Sequence, residues 1–157
     1  MSRRKFKLSH SVVGLLALAL LQGLLLYMWP SGAAAWLVLG FAVVGSIVTL
    51  YVATEIVEEV HSPSHMVVLL SVIVAEFVLF FACEYWYLGL VSPGSFPTLP
   101  LDAVSLLLHS MMVFVFNPLY LPGNMLGQAL LLINTASSMG LALFILQNIS
   151  QFRLSRQ

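Results

Sequence analysis

Glu76 stands in SVIVAEFVLFF, in the middle of an apolar run long enough to cross a bilayer. An ionised side chain at that depth costs on the order of 3 kcal/mol on insertion scales, so such a group faces protein or water and is treated as functional by default. Two chemistries fit it. One is a protonated acid that hydrogen-bonds to a neighbouring helix; the other is a proton or ion site. The partners offered by the last apolar run are Asn134, Thr135, Ser137 and Ser138, which with Gly140 form a small polar patch. Residues of this kind let membrane helices approach closely and hydrogen-bond across the contact, and the same patch would also suit the lining of a cavity. Glu84 lies two turns beyond Glu76 and reads as a solvated carboxylate near the membrane surface.

His109 and Ser110 close a short apolar segment. There the negative end of a helix dipole would favour a cation or a protonated imidazole, and an imidazole's near-neutral titration suits pH sensing. The alternative is a buried, structural histidine. Glu55, Glu58, Glu59, His61 and His65 crowd one loop, TEIVEEVHSPSH, with donors of the kind divalent metals take. Pro63 interrupts the spacing from His61 to His65, so this loop reads as solvated and no metal is assigned. No nucleophile elbow, phosphate loop, HExxH or paired-cysteine motif occurs, and nothing calls for an enzyme or a cofactor. Cys83 is the single cysteine, so no intrachain disulfide forms.

The elements that must position these groups follow from composition. Of 157 residues, 61% are hydrophobic and 8% charged, with a mean hydropathy of +1.02, against roughly 25% charged in a soluble domain. The chain is an integral membrane protein, with the lipid bilayer as its first partner and no basic surface for nucleic acid. Arg3, Arg4, Lys5 and Lys7 open it and Arg153 and Arg156 close it, which places both ends in the cytoplasm by the positive-inside rule and the protein in a cell (inner or plasma) membrane. RRKFK, an apolar run and Ala33-Ala34-Ala35 imitate a signal peptide. The run from Leu8 to Trp29 exceeds the usual apolar core of roughly 7 to 15 residues, so a retained first span is expected.

Four stretches meet the roughly 20-residue requirement for a spanning helix: about 9–29, 34–53, 66–88 and 124–149. Pro30-Ser31-Gly32 turns the first pair, and Tyr85, Trp86 and Tyr87 read as an interfacial aromatic belt. Residues of about 101–122 are long enough for a fifth span. Five crossings, however, would part Arg153 and Arg156 from the N-terminal basic run. A re-entrant hairpin keeps the number even, with a short helix from about Pro100 to Met112 and an extended return through VFVFNPLYLP. Thr98 or Ser95 would cap that helix, and Asp102 would complement its dipole. Pro118 and Pro122 exclude regular helix afterwards. The expected fold is therefore all-α, with four transmembrane helices and a re-entrant pore-helix hairpin between the third and fourth. Residues 1–61 hold two helices and a cytoplasmic loop; residues 62–157 hold the remainder.

At residue level, about 62–150 resembles the pore domain of small bacterial potassium channels that carry two preceding helices. The likeness rests on Ser92-Pro93-Gly94-Ser95-Phe96, on Asp102-Ala103-Val104 at the start of the short helix, and on Pro122 followed by Leu126-Gly127-Gln128 and ALLLIN. The resemblance implies an outer helix, a pore helix, a filter and an inner helix, assembled as a homotetramer. The family's filter is Thr-Thr-Val-Gly-Tyr-Gly-Asp, whose backbone carbonyls replace the hydration shell of the ion. Here Val113, Phe114, Val115, Phe116, Asn117, Pro118 and Leu119 occupy that region. No glycine lies between Gly94 and Gly123.

The expected function is a channel-like tetramer with a degenerate, apolar filter lined by Val113, Phe114, Val115, Phe116, Asn117 and Pro118. Such a pore is non-selective, gated or plugged rather than potassium-selective. The alternative is a non-conducting accessory subunit that keeps the pore-domain fold and binds another membrane protein; the third reading is proton-coupled transport through Glu76.

Overall fold

The computed structural model describes residues 14, 17–18, 20–28, 33–58 and 63–154. The basic N-terminal run, the Pro30-Ser31-Gly32 turn, Glu59, His61 and Arg156 lie outside them. Every regular element among the described residues is helical. Residues 20–28 form α1, followed by α2 (Ala34–Glu58), α3 (Pro63–Val91), a 3-10 turn (Pro93–Ser95), α4 (Ala103–Phe114) and α5 (Met125–Leu154). Among the described residues three helices are long and apolar enough to cross a membrane: Ala34–Glu55, His65–Val91 and Met125–Ser150. The chain is thus an all-helical, multi-pass membrane protein.

The long helices run past the boundaries expected from hydropathy. α2 takes in Thr54 to Glu58, and α3 begins at Pro63, because proline suits a first helical position where no donor is needed. Much of the expected water-facing loop is therefore helix.

α2, α3 and α5 pack together, with α3 antiparallel to both neighbours. Gly45 of α2 meets the Phe80 ring so closely that any side chain there would displace it. Ser137 of α5 donates to Ser46 Oγ of α2 at 2.9 Å, and Ser46 in turn donates to the Ala42 carbonyl at 2.7 Å. Between apolar helices in lipid the hydrophobic effect supplies no preference, so small-residue contacts, shape and hydrogen bonds of this type carry the association. On α3 the inward face is aromatic. Phe77, Phe81 and Tyr85 are all buried, Phe77 and Phe81 have ring centroids 4.8 Å apart, and Phe80 meets Phe81 edge-on at 5.5 Å. Tyr85 therefore belongs to the core and not to an interfacial belt; Trp86, turned about 100° further round the helix, is exposed.

Candidate functional site

The segment between α3 and α5 starts and ends at one place. After Val91 the chain turns through Pro93–Ser95, and the Ser95 carbonyl accepts a 2.8 Å hydrogen bond from the Gly123 amide. Gly123 must be glycine, since a Cβ there would lie 2.6 Å from the Gly94 carbonyl oxygen and against the Pro97 ring. Gly127 approaches the Ser95 carbonyl in the same way. Asn124 caps α5 by accepting from the Gly127 amide at 3.0 Å, while Ser95 donates to Ser92 Oγ at 2.9 Å. The SPGSF and PGN stretches thus form one junction, from which residues 96–122 project.

α4 leaves that junction antiparallel to α3. Its N-cap is Asp102, whose carboxylate accepts from the Val104 and Ser105 amides at 3.1 and 3.0 Å. Hydrogen bonds from Ser105 hold this exposed carboxyl below the ordinary aspartate value of 3.8. The expected caps, Ser95 and Thr98, are not used. The helix starts at Ala103 because Asp102, in an extended conformation, satisfies the first free amides itself.

Leu106, His109, Ser110 and Val113 form the buried face of α4. Ser110 donates to the Val78 carbonyl of α3 at 2.8 Å, and Phe114 meets Phe77 with centroids 5.9 Å apart. His109 is wholly buried and stands edge-on to three rings: Tyr85 at 4.6 Å, Tyr120 at 5.5 Å and Phe96 at 5.6 Å. Neither ring nitrogen has a hydrogen-bond partner among the described residues. The helix runs on to Phe114, so His109 is an interior residue of α4 and the dipole argument for a cation at that point does not apply. Three elements converge on this imidazole: α3, the start of the projection and its return.

α4 ends in a Schellman motif. The Phe116 amide donates to the Val113 carbonyl at 2.9 Å and the Asn117 amide to the Met112 carbonyl at 2.8 Å. The motif needs a left-handed residue at the position of Phe116, where φ is 61°. Glycine normally sits there, and a residue with a Cβ pays about 1 kcal/mol. Phe116 is the single non-glycine residue with positive φ among the described residues, and half of its surface is exposed. Val115 is equally exposed, whereas Val113 is fully buried inside the protomer and Phe114 is partly buried. Past the tip, Asn117 is exposed and Pro118 partly so. Leu119, Tyr120 and Leu121 make no backbone hydrogen bond among the described residues.

The polar patch of α5 turns inward. Asn134 and Ser138 are fully buried; Asn134 donates to Tyr85 Oη at 3.2 Å, and Ser138 donates to the Asn134 carbonyl at 2.8 Å. Thr135 and Ser137 are partly buried, and Ser137 reaches Ser46. These bonds lead to α2 and α3, and the exposed stripe of α5 is instead Met125, Leu132, Met139, Leu143 and Leu146. Glu76 is partly buried on α3.

Glu84 is not the solvated carboxylate expected from its depth. It is fully buried, and Gln22 of α1 donates to its Oε2 at 2.7 Å. It lies seven residues after Phe77 and three after Phe81, hence on the same inward face. That spacing was available in the sequence; proximity to the membrane surface concealed it.

Comparison with known proteins adds no relative: no family model, no curated protein and no solved structure matches the chain.

Proposed function

We propose that residues 96–122 form a re-entrant hairpin and that copies of the chain assemble around it as a channel-like homotetramer with an apolar, non-potassium-selective constriction. The observation that carries this reading is the hairpin's geometry together with its unpaired backbone. Ser110 meets Val78, about 20 Å along α3 from Val91 at roughly 1.5 Å per residue, and the chain then returns to Ser95. In a hydrocarbon core about 30 Å thick, the tip lies well inside. Non-helical backbone at that depth is tolerated only against protein or water, and Leu119, Tyr120 and Leu121 offer amides that lipid would leave unpaired. Neighbouring copies, or water held between them, supply what a lone protomer lacks. On this reading Val115 and Phe116 narrow the passage, and four spans with both ends in the cytoplasm fit the charge pattern.

The test is mass measurement of the purified protein in mild detergent, followed by ion flux in liposomes. Four copies are expected, with flux rising in Phe116→Ala; monomers alone would refute the assembly. A second reading is favoured by one observation: the polar patch of α5 is spent on contacts within the protomer, leaving an apolar outer stripe. This suits a non-conducting accessory subunit that docks on another membrane protein. It requires a stoichiometric partner in a pulldown and no flux from Phe116→Ala.

A further inference from the structure

Gln22 and Glu84 are each fully buried and joined by one hydrogen bond, Gln22 Nε2 to Glu84 Oε2 at 2.7 Å. The other oxygen of each side chain, Gln22 Oε1 and Glu84 Oε1, has no hydrogen-bond partner among the described residues. An ionised carboxylate and an amide oxygen are both acceptors, so nothing in a charged pair satisfies either atom. A single hydrogen repairs both deficits. A carboxylic acid and a primary amide are planar forks of matching span; they close into a ring of two hydrogen bonds when the acid keeps its proton. We propose that Glu84 carries a proton on Oε1 and donates it to Gln22 Oε1, making this pair an intramembrane proton-binding site that ties α1 to α3.

Neutrality removes the cost of a buried charge in an apolar helix pair, and the second hydrogen bond fixes α1 against α3. Loss of the proton leaves a carboxylate beside an amide oxygen and loosens α1. The titratable groups nearby are few. Cys83 and Tyr87 flank Glu84 on α3, and Glu76 lies two turns away on the same helix. α1 brings Tyr27 among its described residues, α4 brings His109 against Tyr85, and neither Ala34–Gly45 of α2 nor Met125–Ser150 of α5 carries any. No cation is present among them to stabilise a carboxylate. The site owes nothing to the hairpin and stands or falls independently of conduction.

Infrared spectra of the full chain in lipid nanodiscs test the proposal. At neutral pH a protonated-carboxyl carbonyl band is expected, lost in Glu84→Gln and kept in Glu76→Gln. Gln22→Leu keeps that band but moves it to higher frequency, because the carbonyl loses its amide donor; this variant decides the matter if Glu84→Gln does not fold. Raising the pH until the band disappears is expected to lower the wild-type apparent Tm by roughly 3–10 °C relative to Glu84→Gln over the same range. A spectrum with no band assignable to Glu84, or no shift in Gln22→Leu, overturns the proposal. So does a Tm that rises specifically with sodium or potassium, which would mark the two oxygens as cation ligands.

Discussion

Phe116 holds a backbone conformation that suits glycine and exposes an aromatic ring at the tip of the hairpin. The two facts separate experimentally. Phe116→Gly relieves the strain and is expected to stabilise the fold by about 1 kcal/mol in reversible unfolding in detergent, while removing the ring from the tip. Stability that rises as flux or partner binding changes would show that the ring is retained for function at the expense of the fold. Asp102 gives a second residue-scale expectation. Its folded-state titration lies below the unfolded one, so its cap contributes fully above the ordinary value of 3.8 and is lost as the pH falls through the lower folded value. Helix content or Tm measured across that acid range should fall in the wild type more than in Asp102→Asn, whose amide oxygen caps at any pH. The cap was half legible: aspartate near a helix start is a clear signal, but choosing between Ser95, Thr98 and Asp102 requires knowing where the chain straightens.

At the scale of elements, the junction beneath the hairpin is built from close backbone approaches that only glycine permits. Gly127→Ala places a methyl group against the Ser95 carbonyl and is expected to destabilise the protein by roughly 2 kcal/mol, while Gly40→Ala, with nothing within 4 Å on an exposed helix face, should be neutral or slightly stabilising. Parallel thermal melts of the two variants check the contrast. The long helices were readable because 20-residue apolar runs admit few other meanings. Their ends were not, since membrane helices continue past the apolar stretch wherever propensity allows, as α2 does to Glu58. Spacing also held information that hydropathy hid. Glu84 shares a face with Phe77 and Phe81, and Tyr85 turns toward Asn134, yet both read as surface residues when judged by depth alone. The partnership of Gln22 with Glu84 had no sequence signal at all, because it joins helices far apart in the chain.

For the whole molecule, the exposed stripe of α5 is the decisive surface. Met125, Leu132, Met139, Leu143 and Leu146 recur at intervals of seven, seven, four and three residues, and so share one face along nearly the full helix. If copies gather around α5, cysteines placed at Leu132 or Met139 in a Cys83→Ser background should crosslink into dimers within the detergent-solubilised assembly. Cysteines at Val67 or Leu79, exposed on α3, should not. Equal crosslinking from both faces would indicate that α5 meets lipid.

The hydrogen bond between Gly123 and Ser95 also orders events in time. α4 has 12 residues, too few to hold itself across a bilayer, and its partners on α3 precede it in the chain, while the Gly123 amide that closes the segment on Ser95 follows it. During synthesis α4 therefore meets a finished α3 as it emerges, whereas the return through residues 115–122 is closed only when the Gly123 amide reaches the Ser95 carbonyl. A nascent chain halted before Gly123 should leave residues 115–122 more open to protease than a chain halted after α5. The helix of this segment thus has its support before its return does.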